Sequence, residues 1–271
     1  MGKQAKANRI NYFNVHPHCI FCGGTQPATT KEHCPPKALF QLKQWPEGFE
    51  FPACNSCNNG TSDDDILIAW LGRIAPYEDQ GDNDGKMNGL TFNLCKQHPD
   101  FLPQIFMSPI EARRSARELG LRPPLGTTYQ ELGIINVPER MHDAVKAFAR
   151  KLTKAIYWRE KNRIFPSDGQ IIFNWFTNAT VLKSGSIPTF EAFESFMGTS
   201  KKVVRAGKDL SGQFSYKYAV HSDGDLAVLQ ARIGKSFGFV SIVSPASGVL
   251  TKIMTKVKQR TGRDVMAFEF V

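Results

Sequence analysis

Met141, Val145, Phe148, Leu152 and Ile156 recur at spacings of four, three, four and four, so they line one face of a helix expected over residues 139–162. Lys146, Arg150 and Lys154 form a second row, at four-residue intervals, on another face. The pattern predicts two shorter helices upstream. In "DDDILIAWLGRIA" aspartates open an apolar run. In "SPIEARRSARELG" Ser108 is the N-cap, Pro109 sits in the first turn and Gly120 ends the helix. Another short helix is expected at "TFEAFESFM". After residue 210 the period changes to two. "QFSYKYAVH", "DLAVLQARI" and "SFGFVSIVS" read as strands joined by "SDG" and "GK" turns, and "DVMAFEFV" as a last strand. Residues 77–104, rich in Gly, Asn and Asp, read as loop, and residues 1–18 as an irregular arm. The expected class is α+β, with an antiparallel sheet region last.

The chain has 271 residues, of which 41% are hydrophobic and 22% charged, enough to bury a sizeable core. The expected division is an arm at 1–18, a small module at 19–75, a loop-rich linker with one helix at 76–135, and an α+β domain at 136–271. Net charge is +9, which favours a polyanionic partner, nucleic acid before an anionic membrane. The basic excess lies outside the cysteine-rich segment: residues 104–165 hold twelve basic against six acidic side chains. No apolar run is long enough to span a bilayer, and "MGKQAKANRINYF" lacks the apolar core of a secretory signal, so a cytoplasmic location and no membrane partner are expected. In that compartment Cys-x-x-Cys pairs read as metal ligation or redox chemistry rather than disulfides.

"CIFC" at Cys19 and Cys22 and "CNSC" at Cys54 and Cys57 are two such pairs. Four thiolates complete a tetrahedral zinc site with no open position, so the expected Zn²⁺ is structural and clamps the segment between the pairs. A redox role fits less well, because "HPHCIFCGG" is flanked by turns rather than by a strand and a helix. Between and after the knuckles stand Glu32, His33 and Asn58. A carboxylate and an amide are hard oxygen ligands suited to Mg²⁺ or Mn²⁺, and an imidazole is a base able to take a proton from water.

Cys-x-x-Cys, then Glu-His-x-x-Pro, then Cys-x-x-Cys-Asn resembles the four-cysteine, zinc-knuckle branch of the HNH endonucleases, whose fold is the ββα-metal finger. The resemblance covers residues 19–65. It implies that His33 is the general base, that Glu32 and Asn58 hold a catalytic divalent cation, and that DNA is cut to 5′-phosphate and 3′-hydroxyl ends. It also implies a place in phage defence or a mobile element. The family's middle Asn is missing: Phe49 lies in that stretch, which bears on loop geometry more than on chemistry. Asn59 or Asp63 stands in for Asn58 if the helix starts later. Residues 148–170 more loosely resemble bacterial HNH-type proteins and yield no site residues.

Plainer readings stand beside these. His33 is a packed histidine, Asn58 only a helix cap, Cys34 a small buried thiol, and "CKQH" at 95–98 a loop; His16 and His18 carry little weight. The Lys146/Arg150/Lys154 row is either the wet face of a packed helix or a phosphate track for nucleic acid. RNA as substrate uses the same residues as DNA, and a protein partner or a homodimer stays open. The competing class is a non-catalytic, zinc-stabilised module that binds nucleic acid or protein.

Overall fold

The computed structural model describes residues 3–74, 85–221, 224, 226–261 and 268–271. It begins with α1 (Lys3–Val15), where an irregular arm was expected. This helix carries no apolar stripe, so periodicity is silent about it. A few contacts fasten it instead: Tyr12 donates to the Glu50 carbonyl, Arg9 donates to that of Thr29, and the His16 ring meets Trp158 edge-on.

The cysteine segment folds as a ββα unit, as expected. β1 (Thr30–His33) pairs antiparallel with β2 (Glu50–Ala53), with His33 opposite Glu50, and α2 (Asn55–Asn59) follows directly. The first knuckle turns through Gly23 and Gly24 at φ +71° and +81°, a region open to glycine. A Cβ on Gly23 would also come within 2.6 Å of the Ser167 backbone, so the turn is pressed against a distant loop.

The expected helix over 63–75 is α3 (Ser62–Arg73). Its Gly72 leaves room for Leu39 and Ile233. Next come α4 (Lys86–Gln97) and α5 (Phe101–Ile105), where loop was expected; residues 77–84 of that stretch lie outside the described residues. Tertiary contact overrides weak propensity here. Leu94, Phe101 and Ile105 are buried, and Trp70 Nε1 donates to Thr91. α6 (Pro109–Glu118) has the expected Ser108 cap, completed into a capping box by Glu111.

α7 (Glu139–Lys161) matches the expected long helix and ends at Asn162 in the left-handed conformation. It is buried nearly all round, including Lys151 and Lys154, because it lies between the finger and the main sheet. Lys154 reaches the Phe21 carbonyl of the finger, while Phe148 packs on Phe237 and Phe239 of the sheet.

The sheet begins with β3 (Gln170–Thr177), a strand the alternation did not reveal because five of its eight residues are apolar. Then follow α8 (Asn178–Ser184), α9 (Pro188–Glu191), a small hairpin of β4 (Val204–Arg205) and β5 (Lys208–Asp209), and the three expected strands, β6 (Phe214–Val220), β7 (Ala227–Ile233) and β8 (Phe237–Ser244). α10 (Val249–Thr261) was not anticipated. β9 (Glu269–Phe270) is the described part of the expected last strand, whose residues 264–267 lie outside the described residues. The sheet order is β6-β7-β8-β3-β9, antiparallel throughout. The fold is therefore α+β. One buried cluster runs without a break from Ile20 and Phe51 of the finger through Leu67 and Phe148 to Phe214 and Phe239 of the sheet. No helix among the described residues is long and apolar enough to cross a membrane.

Candidate metal centre and the two faces of the first finger strand

Cys54 caps α2, and Cys57 lies one turn on; Cys19 and Cys22 face them from the first knuckle. Their four sulfur atoms lie within 4.8 Å of one another, an arrangement that can hold a metal such as zinc. The sulfurs also bias one another. Burial pushes the Cys54 thiol up, but hydrogen bonds from Ser56 and Cys57 bring it down to about 6. Burial and the neighbouring Cys54 and Cys19 push Cys57 up. Close sulfurs hold a thiolate at one position at the expense of another until a cation neutralises them.

Strand pleating separates the two residues of the Glu-His pair. Glu32 turns inward and is 3% exposed. Its Oε1 lies 2.8 Å from Lys151 Nζ on α7, and Lys151 also donates to the Thr61 hydroxyl ahead of α3. Glu32 Oε2 is buried with no hydrogen-bond partner among the described residues. Desolvation raises the Glu32 carboxyl against the pull of Lys151. Asp65, near the start of α3, joins the same cluster; burial and the proximity of Glu32 push it up to about 7, although Lys151 opposes them. Two carboxyl groups thus share one ammonium. Cys34, fully buried beside them, is pushed well up by desolvation, which agrees with a packed thiol.

His33 turns outward. Its Nε2 lies 2.9 Å from Glu50 Oε1, directly across the strand pair, and its ring meets Trp45 edge-on at 5.1 Å. Glu50 also takes Lys31 at 3.4 Å. The side chain is 21% exposed. Burial pulls the imidazole below its ordinary range, the Glu50 hydrogen bond pushes it up, and the Lys37 charge pulls it down; the net direction is downward. His33 is therefore neutral at pH 7 and open to protonation from solvent.

Asn58 stands on α2, half-buried, directly after Cys57; its backbone N–H donates to the Cys54 carbonyl. Of the residues expected at a catalytic site, His33 is reachable from solvent, Glu32 is enclosed and Asn58 is half-buried on α2. Asn59 and Asp63 are exposed.

The basic row on α7 is not a continuous solvent-facing track. Lys154 is 6% exposed and donates to the Phe21 carbonyl at 2.7 Å, and Lys146 pairs with Glu269 at 3.0 Å. Of the three, only Arg150 is exposed. A four-residue spacing fixes a face but not what packs on it, and this face meets the knuckle.

Glu50, Lys151, Asp65, Trp45 and Arg205 were not singled out for the site. The alternation of "FEFPA" hints that Glu50 points away from the two flanking phenylalanines. No local signal marks Lys151, which follows Arg150 and stands three residues before Lys154.

Comparison of the chain with models of protein families, with curated proteins and with solved structures finds no match. What the site does must be argued from its own side chains.

Proposed function

We propose that the chain is a metal-dependent endonuclease of the HNH type that hydrolyses phosphodiester bonds in DNA. The observation that carries this reading is His33: a neutral imidazole, at the end of a strand clamped by four cysteines, with Nε2 tied to a carboxylate and the ring reachable from solvent. With Nε2–H donating to the Glu50 carboxylate, Nδ1 is the basic nitrogen. It takes a proton from a water molecule whose oxygen attacks phosphorus. The bond to the 3′ oxygen breaks, and that oxygen takes a proton from solvent, leaving 5′-phosphate and 3′-hydroxyl ends. Glu50 fixes the ring's tautomer and steadies the imidazolium as it forms, as a carboxylate does behind any histidine base.

The proposed divalent cation, Mg²⁺ or Mn²⁺, would be held by Glu32 and Asn58. What supports it is the donor set: a buried carboxylate oxygen with no partner, in a cluster where two carboxyl groups share one lysine. Hard oxygen donors suit these ions. Because Glu32 is enclosed, paired with Lys151 and on the face of β1 opposite His33, no step at a phosphate beside His33 is routed through that ion. Its affinity is measurable without turnover, by Mn²⁺ titration followed by electron paramagnetic resonance, with Glu32→Gln expected to weaken binding.

The second reading, a zinc-stabilised binding module without catalysis, draws on one observation: Lys151 already neutralises Glu32. Plasmid nicking separates the two. The protein nicks in Mg²⁺ or Mn²⁺, and His33→Ala lowers the rate by about 10²–10⁴-fold, the usual span for a general base, with zinc content unchanged. A variant that nicks as fast as the parent removes His33 from the chemistry, and a parent that does not nick favours the binding module. We further propose that such an activity serves in the cytoplasm in defence against phage or in a mobile element; restriction of phage plating by the parent and not by His33→Ala is the check.

A further inference from the structure

The loop joining β1 to β2 carries Trp45, and two cations lie against its ring. Lys37 Nζ is 3.7 Å from the ring centroid and the Arg205 guanidinium carbon 3.9 Å. His33 meets the same ring edge-on. Arg205 comes from the far end of the chain. It is the last residue of β4, and the Ala206–Gly207 turn that follows has φ of +47° and +78°, the two positive angles a tight hairpin demands. That hairpin is fastened to the finger's loop by three hydrogen bonds: Glu47 N–H to the Val204 carbonyl, Ala206 N–H to the Glu47 carboxylate, and Arg205 Nη1 to the Trp45 carbonyl.

Two positive charges on one indole repel each other. Neither Lys37 nor Arg205 has a carboxylate partner within salt-bridge distance among the described residues; the nearby acid Glu50 is taken by His33 and Lys31, and Glu47 accepts from backbone. Arg205 spends one of its five N–H donors on the Trp45 carbonyl, and the remaining fork is free for a bidentate partner. Such a pair, less than about one Debye length apart and beside a reactive imidazole, is complementary to a phosphodiester backbone. Two cations lie against the ring and His33 meets it edge-on, so the ring serves as their platform.

We propose that Lys37 and Arg205, mounted on Trp45, form the clamp that seats a duplex DNA backbone across His33, and that the β4–β5 hairpin exists to deliver Arg205 to that place. This rests on the reading of His33 as the cleaving base, and it moves the nucleic-acid track from α7 to the outer face of the finger.

The test is equilibrium binding of a fluorescein-labelled 20-base-pair DNA duplex, followed by anisotropy across a salt series, with His33→Ala as the parent so that nothing is cut. Arg205→Ala and Lys37→Ala each weaken binding roughly three- to tenfold and lower the log–log salt slope by about one, as loss of one phosphate contact requires. Arg205→Lys keeps the charge and so the salt slope, but loses the bidentate fork, so its affinity falls between those of the parent and Arg205→Ala. Arg150→Ala changes affinity less than about twofold. Matched melting curves show that the variants fold. Affinity and slope unchanged in both clamp variants overturn the proposal; so does equal loss in Arg150→Ala, and so does binding of single-stranded RNA but not of duplex DNA. The two readings fail separately. A chain that binds through the clamp but never nicks overturns the endonuclease and keeps the clamp. A chain that nicks with both clamp variants at full affinity keeps the endonuclease and overturns the clamp.

Discussion

Glu32 and His33 are bonded neighbours with opposite surroundings. On the inner face of β1 the enclosed Glu32 pairs with a lysine from a helix more than a hundred residues away, and that lysine also donates to the Thr61 hydroxyl and draws on the Asp65 carboxyl. The outer face gives His33 a carboxylate, an indole and three basic side chains beside water. Carboxyl groups report the difference directly. Burial pushes Glu32 up, while on the outer face Glu50, against its own smaller burial, is drawn down by His33 and Lys31. The lesson is that a two-residue motif in a strand is two sites, one for holding the fold and one for meeting a ligand, unless something bridges them at the strand's end. Substitutions on the inner face should be read in stability and those on the outer face in activity.

The largest effect is expected from Lys151→Met. Removing one partner of a buried ion pair leaves an uncompensated charge, and the typical cost is about 3–5 kcal/mol. Urea melts measure it. The double variant Glu32→Gln/Lys151→Met recovers much of that loss, because no unpaired anion remains at Glu32. Mn²⁺ sharpens the comparison: if Glu32 is a cation ligand, millimolar Mn²⁺ restores part of the stability of Lys151→Met, since an ion that binds only the folded state stabilises it. Lys151→Met melting within about 1 kcal/mol of the parent contradicts the enclosed character of the inner face.

Next in size is Glu50→Gln on the outer face. The glutamine can still hydrogen-bond His33 but no longer steadies its charged form, and loss of a carboxylate behind a histidine base costs on the order of 10²-fold or more in rate. The acid limb of the pH–rate profile shifts to lower pH, because Glu50 raises the His33 pKa and its charge is gone. The melting curve stays close to the parent's, since exposed pairs contribute about 0–1 kcal/mol. Equal loss in melting and in rate would make Glu50 a structural residue and dissolve the contrast between the faces.

Much of this was legible in the sequence, and for definable reasons. Four cysteines at metal spacing fix their own meeting place, and five apolar residues at helical spacing fix α7, so both follow from local pattern. After residue 210, β6 alternates because it lies at the sheet edge with one wetter face, although β7 and β8 beside it are buried at nearly every residue. By contrast, β3 is central and covered, so it reads as a bare apolar run. α1 and α4 form on few contacts from distant segments, among them Tyr12 to Glu50 and Trp70 to Thr91. The site divides in the same way. Cysteine ligands are local in sequence, whereas Lys151 and Arg205 reach β1 and its loop only through tertiary packing, and no spacing rule links residue 32 to 151 or 45 to 205.

The smallest expected effect tests the inner face by its protons. Asp65 has an ordinary carboxyl value of 3.8 when the chain is unfolded and about 7 in the fold. Between those values the folded state holds more protons than the unfolded one, so stability falls as pH rises through that window. Asp65→Asn removes the titrating group and keeps a neutral side chain of the same shape. The variant is thus close to the parent at pH 4, where Asp65 is largely protonated in the fold, and more stable than the parent at pH 8, by about 1 kcal/mol or more once Lys151 is credited with offsetting part of the charge. Urea midpoints at the two pH values measure the difference. A parent and variant whose stabilities run parallel from pH 4 to pH 8 would mean that Asp65 ionises as freely as in water, that solvent or a cation reaches the inner face, and that the two sides of β1 are less different than Glu32 and His33 suggest.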